Sequence, residues 1–246
     1  MTAPDPIPPD VQKSIDRFNS DAGKIVNSLF DVLKAQEPPP IIYHYTNDAG
    51  LKGILEAGQL WLTDVFNLND PSEINHGFSL MLNALMGKAK SISRKSEQFA
   101  EGLKGFRDRG GLQKTGNYFV CSFSACSDDL GQWRAYADNG RGFVLGFDTR
   151  ELEAAFTTEG DGWYSLTSPL ACDDAQLISL HGQIVDKMFE LMSLPCASSV
   201  QASWYTQLTL QGLNAGLLFK HEAYRNEQEY RFLEAHRRDI PVRASS

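Results

Sequence analysis

No stretch of this 246-residue chain stays apolar over the ~20 residues that a membrane-spanning helix needs. The N-terminus, Met1-Thr2-Ala3-Pro4-Asp5, has no charged-then-apolar leader, so a cytoplasmic location without membrane contact is expected. Cysteine is scarce. Cys121, Cys126, Cys172 and Cys196 form no C-x-x-C pair, and no histidine stands at zinc-ligand spacing from them. They are expected to be reduced thiols, with Cys121 in core packing, and no metal is expected. Basic side chains are outnumbered: 23 Lys and Arg against 31 Asp and Glu give a net charge of −8. A broad duplex-binding surface needs the opposite sign, because phosphate neutralisation dominates such binding. A local basic groove survives that exclusion, and residues 87–116, the most basic stretch, are where it would lie.

Several catalytic signatures are missing as well. There is no G-x-x-x-x-G-K-S/T loop and no G-x-G-x-x-G after a strand, which disfavours P-loop and Rossmann chemistry. There is no G-x-S-x-G elbow, no H-E-x-x-H, and no H-x-E paired with P-C-x-x-C. Glu227 and Glu229 stand too close on one strand to flank a glycosidic bond as a hydrolase pair.

What is present is ordinary globular material, with 42% hydrophobic and 22% charged residues. Val11, Ile15, Phe18, Ala22, Ile25, Leu29 and Val32 recur at helical steps and predict a helix from Val11 to Ala35, stopped by Pro38-Pro39-Pro40. Residues 1–40 are therefore expected to be a tail and helix packed on a single α+β domain over 41–240. Within it, Ile41 to Thr46 predicts a strand and Thr46-Asn47-Asp48 caps a helix ended by Gly58. Leu60 to Thr63 predicts a second strand. Asp70-Pro71-x-Glu73 opens a helix running to about Met86, and a further helix is expected over Ser96 to Phe106. Strands follow at Tyr118–Ser124 and Phe143–Phe147, separated by a short helix from Asp128 to Ala137. Over 148–218 a helix is expected at Arg150 to Phe156, a loop and strand at Gly160 to Ser165, and helices at Leu177 to Leu194 and Ser203 to Leu218, with no regular βαβ alternation.

The chemistry-bearing candidates lie at strand ends. Read as a strand, Glu227 to Phe232 puts Glu227, Glu229 and Arg231 on one face and Gln228, Tyr230 and Phe232 on the other. The acids are either a solvated surface pair, matched with Arg225 and Arg231, or a catalytic carboxylate and its neighbour. Ser122 and Ser124 share a face; Asn67 and Asn69 are left unexplained by the helix start and are candidates to line a pocket. Trp133 and Tyr136 stand one helical turn apart, as core packing or as a stacking wall for a flat heterocycle. A catalytic reading requires His44, Ser122 and Glu229 to face one cleft, and is expected to fail if Glu229 lies on the opposite side of the sheet from His44.

Tyr43-His44-Tyr45-Thr46, Asn69-Asp70-Pro71-x-Glu73, Cys121-Ser122-Phe123-Ser124, Trp133-x-x-Tyr136 with Gly140-x-Gly142, and Phe219-Lys220-His221 followed by Glu227-x-Glu229-Tyr230-Arg231 resemble a bacterial domain-of-unknown-function family, number 2971, over about residues 41–235. More distantly, His44-x-Thr46, the serine strand and the late E-x-E strand resemble the ADP-ribosyltransferase superfamily. That resemblance implies a split β-sheet core holding NAD in a cleft, here with a helical N-terminal extension and a helical insert at 148–218. It implies Glu229 as the catalytic acid and Glu227 as the acid facing the acceptor. His44, Tyr45, Thr46, Asn69, Ser122, Trp133 and Tyr136 would hold NAD, which is a substrate, and no metal is needed. The acceptor would be a protein or nucleic acid, and a toxin or phage-defence role follows by analogy. An NAD glycohydrolase and a non-catalytic binding module are the alternatives.

Overall fold

A computed structural model describes residues 7–68, 72–156, 163–192 and 198–237. The first apolar stripe forms helix α1, Pro9–Lys34, burying Ile15, Phe18, Ala22, Val26, Leu29 and Leu33. Strand β1, Ile41–Thr46, follows the proline stop. Asn47 caps α2, Asp48–Ala57, by accepting the Gly50 N–H, and Gly58 ends it in the left-handed conformation (φ 62°). Strand β2 is only Thr63–Asp64, not the expected Leu60 to Thr63, because only these two residues find a partner strand. Asp64 then turns its carboxylate onto the Phe66 N–H and ends the strand.

Helix α3, Ser72–Ile92, runs one and a half turns beyond the expected Met86. Ser93 caps α4, Arg94–Asp108. The serine-bearing strand is β3, Gly116–Ser124. Asp129 caps α5, Leu130–Tyr136, and β4 is Phe143–Asp148. Helix α6 is Thr149–Ala155, β5 is Trp163–Pro169, α7 is Asp174–Leu191 and α8 is Ser198–Gly216. The last strand, β6, is Glu229–Arg237.

The six strands form an antiparallel sheet in the order β4-β1-β3-β6-β5, with β2 pairing β3 outside that path. The protein is thus α+β, as its irregular order of elements implies. Strand alternation gives the sheet two faces. Tyr118 and Val120 of β3, with Leu233 and Ala235 of β6, join a core shared with α1, α3, α4, α7 and α8. Cys121, Phe123, Tyr230 and Phe232 point the other way, into a smaller cluster with Ile42, Leu152 and Phe156.

β5 pairs with β6 along seven positions, and α7 and α8 supply much of the main core. The sequence pattern showed their apolar faces but not what they cover.

Candidate functional site

The helix-facing side of the sheet changes character along its length. On β3 it reads Tyr118, Val120, then Ser122, Ser124; on β6 it reads Ala235, Leu233, then Arg231, Glu229. The register places Ser122 opposite Arg231 and Ser124 opposite Glu229. One end of an otherwise apolar face is therefore polar, and those groups need partners.

The Ser122 hydroxyl donates to Glu229 Oε1 at 2.6 Å. Arg231 meets the same oxygen through Nε at 2.8 Å and Nη2 at 2.6 Å. Lys220 Nζ lies 2.9 Å from Glu229 Oε2 and 2.6 Å from Glu227 Oε2. Among the described residues, two cations and two carboxylates thus form a largely buried tetrad; side-chain exposure is 4% for Lys220 and Arg231, 6% for Glu229 and 21% for Glu227. Burial opposes ionisation of Glu229. Arg231, Lys220 and the Ser122 hydrogen bond override it and hold the carboxyl down at about 2.

Glu227 reaches the tetrad by a different route from the one its sequence position predicts. It is not on the strand with Glu229 but ends a 3₁₀ turn, Glu222–Glu227. Gln228 then takes a left-handed conformation (φ 43°) before β6 begins. That reversal costs a non-glycine residue energy, and its neighbours fix it. The Ser124 hydroxyl donates to the Glu227 carbonyl at 2.7 Å, and the Ala125 N–H donates to the Gln228 carbonyl at 2.9 Å. Arg225, the partner considered for these acids, instead meets Glu222 and the Cys172 carbonyl.

Lys220 is held by main-chain bonds on both sides of its segment. The Ala171 N–H donates to the Leu218 carbonyl, and the Lys220 N–H to the Ala171 carbonyl. A lysine buried to this degree is rare without carboxylate partners.

A cavity of about 230 Å³ opens beside the tetrad. It exists because β1 leaves β3 early. β1 pairs with β4 over six positions but meets β3 only at Tyr43 opposite Ser124. Beyond that point the His44 ring fills the gap, with Nδ1 3.3 Å from the Ser122 carbonyl and its face tilted on Phe123 at 5.5 Å. By strand alternation His44 and Glu229 leave their strands on opposite faces, the placement expected to count against catalysis. The parting of β1 and β3 nevertheless lets His44, Ser122, Glu227 and Glu229 all border one cavity. Burial pushes the His44 imidazole down, partly offset by the Ser122 backbone, so it favours the neutral form.

Among the other expected residues, Tyr45 and Tyr136 line the cavity, as does Asn67. The Tyr45 hydroxyl is committed structurally: it donates to the Cys126 carbonyl at 2.8 Å and accepts the Asp129 N–H at 3.0 Å. Two residues are placed elsewhere. Thr46 is buried with its hydroxyl against Gly50 of α2, because it shares the face of Ile42 and His44 beyond the parting. Trp133 packs edge-on against Tyr45 and donates its indole N–H to Asp128, so it braces the wall without lining the cavity. Asn69 lies outside the described residues. Sequence reasoning missed Lys220, Tyr43 and the 81% exposed Trp61, which also border the cavity.

These features describe an α+β protein with a buried charge tetrad at the floor of a cleft. Residues 132–232 match the model of a family described as "Protein of unknown function (DUF2971)". The match includes Tyr136, Lys220, Glu227, Glu229 and Arg231; it is narrower than the expected 41–235 and leaves out His44 and Ser122. No curated protein and no solved structure matches the chain.

Proposed function

We propose that this cleft binds NAD and cleaves its nicotinamide–ribose bond, as an ADP-ribosyltransferase-like enzyme with Glu229 as the catalytic carboxylate. The observation that carries the reading is the Ser122–Glu229 hydrogen bond at the floor of a cavity that His44 borders, three residues brought together from β1, β3 and β6.

The chemistry follows from charge. The glycosidic C–N bond breaks with its electron pair going to the pyridinium nitrogen, so nicotinamide leaves neutral. Positive charge develops on the ribose. An ionised carboxylate hydrogen-bonded to the ribose 2′-hydroxyl stabilises that state more than it stabilises NAD itself. A protein or nucleic-acid nucleophile then bonds to the anomeric carbon and loses a proton. Glu229 has the required ionised form, and Ser122 fixes its orientation. Lys220 is shared between two acids; keeping its shorter bond to Glu227 frees Glu229 Oε2 for the ribose. The cavity volume falls below the ~300–1,000 Å³ of a pocket enclosing a whole drug-sized ligand, so it fits the nicotinamide riboside end with the rest of NAD outside. Tyr43, Trp61 and Tyr136 offer aromatic surface along the cavity.

A second reading has its own support. Both oxygens of Glu229 are already engaged by Arg231, Lys220 and Ser122, as a purely structural network would require. In that case the chain is a binding module. Nicotinamide release from NAD by wild type and Glu229→Gln, with protein and nucleic-acid acceptors offered, decides between them. The enzyme reading expects release by wild type, loss of it in a folded Glu229→Gln variant, and a rise in Tm with NAD. Folded wild type that neither shifts with NAD nor releases nicotinamide rules it out. Release without mass gain on any acceptor identifies the hydrolase instead.

A further inference from the structure

We infer that His76, Asp174 and His221 form a binding site for a single divalent transition-metal ion. The three residues come from separate parts of the chain. His76 is in α3, Asp174 is the first residue of α7, and His221 precedes the 3₁₀ turn that carries Glu227. His76 Nε2 lies 2.9 Å from Asp174 Oδ1, although the residues are 98 positions apart. The rings of His76 and His221 are 4.9 Å apart at their centroids. One donor atom from each residue lies within 4.8 Å of the other two. None of the three belongs to the tetrad or lines its cavity.

Two imidazoles and one carboxylate make a nitrogen-rich set. That composition suits zinc and its neighbours among the first-row metals, while calcium and magnesium prefer all-oxygen shells. Donors sharing one tetrahedral ion at ~2.0–2.1 Å stand roughly 3.4 Å from each other. The His76–Asp174 pair is near that spacing already. His221 has to close by about an ångström, and as an exposed side chain it has room to turn. Its Nδ1 accepts the Ala223 N–H at 3.1 Å. Ligation through Nε2 moves the ring proton to Nδ1, so the exposed Ala223 N–H turns to water instead. Giving up one exposed hydrogen bond is outweighed by the metal–imidazole bond gained. Three protein ligands leave a fourth position for water.

The consequence is mechanical. His221 directly follows Lys220, so an ion here ties the segment bearing Lys220 and Glu227 to α3 and α7. No short cysteine or histidine spacing marks these residues, because only folding brings them together.

Tag-free protein, stripped with a chelator and titrated with Co²⁺, tests the site through the visible absorption of the bound ion. One equivalent is expected to bind, to be displaced by Zn²⁺, and to raise Tm. Removing a ligand is expected to weaken binding by more than the ~10–100-fold that outer-shell substitutions cost. His221→Ala removes an exposed side chain and keeps the fold, so it is the primary variant; His76→Ala is the second. No cobalt spectrum and no Tm shift overturns the inference, and so does binding that persists unchanged in His76→Ala/His221→Ala. Neither readout depends on NAD, so this result stands apart from the fate of the proposed activity.

Discussion

At the scale of single residues, two buried groups with lowered pKa values make the fold less stable in acid. Glu229 is held at about 2 against an ordinary 4.5, and its folded-state value is depressed. Its contribution is therefore complete above about pH 4.5 and drains away as pH falls toward 2, on the order of 3 kcal/mol in total. His181 acts earlier. It is fully buried in α7, neither ring nitrogen makes a well-formed hydrogen bond among the described residues, and burial pushes it down to about 4 from 6.5, opposed by the nearby Gly77 backbone. A depressed histidine also stabilises at high pH: its contribution is whole above 6.5 and is lost as pH falls to 4. Urea melts across pH 7 to 3 are expected to show stability falling in two stages. His181→Leu should flatten the upper stage and Glu229→Gln the lower; a wild-type curve flat between pH 6.5 and 4 contradicts the first assignment. Part of this was visible in the chain itself. The alternation of Ser122 and Ser124, and of Glu229 and Arg231, placed those four side chains on one face of each strand, as found. Lys220 stood in a quoted motif, but its burial against the two acids was not legible, because a lysine in an irregular segment leaves no periodic trace.

At the scale of elements, one cavity wall hangs on a few polar bonds. Helix α5 spans only Leu130–Tyr136, too short to hold itself, yet carries Gln132 and Tyr136 into the cavity lining. Asp129 caps it through the Gln132 N–H at 2.8 Å, and the Asp129 N–H is in turn fixed by the Tyr45 hydroxyl. Asp129→Ala is expected to cost about 1 kcal/mol in a denaturant melt. Tyr45→Phe leaves the Cys126 carbonyl and the Asp129 N–H without this shared partner, and is expected to cost about 1–3 kcal/mol. The two losses should sum to less than their separate values, because both loosen the same helix start; full additivity would mean the cap and the tyrosine act independently. The helix was legible because Asp128 and Asp129 precede a helical pattern. The start of β6 was not. Residues 227–232 alternate convincingly, but Gln228 is left-handed and Glu227 belongs to the preceding turn. Nothing in a glutamine's local pattern marks that conformation, which tertiary bonds from Ser124 and Ala125 impose.

At the scale of the whole molecule, α1 decides how the chain divides. Its amphipathic pattern was plain, but an amphipathic helix has the same pattern whether it lies on a finished domain or completes one. The buried face of α1 favours completion. Phe18 is fully buried and packs edge-on against Trp204 of α8 at 5.6 Å, and α1 also packs along α7. Trp204 is itself 1% exposed, in the same core as Leu177, Ile184 and Leu208. Removing α1 strips the cover from α7 and α8, and these helices back the strands that carry Glu229 and Ser122. Phe18→Ala should therefore cost about 3–5 kcal/mol through lost burial and the cavity left beside Trp204. The same substitution should shift tryptophan emission to the red, since it admits water near an indole that is otherwise dry. A chain starting at residue 41 is expected to show no cooperative denaturant transition. If it melts cooperatively at the wild-type midpoint, α1 is an accessory and residues 41–240 form the domain by themselves.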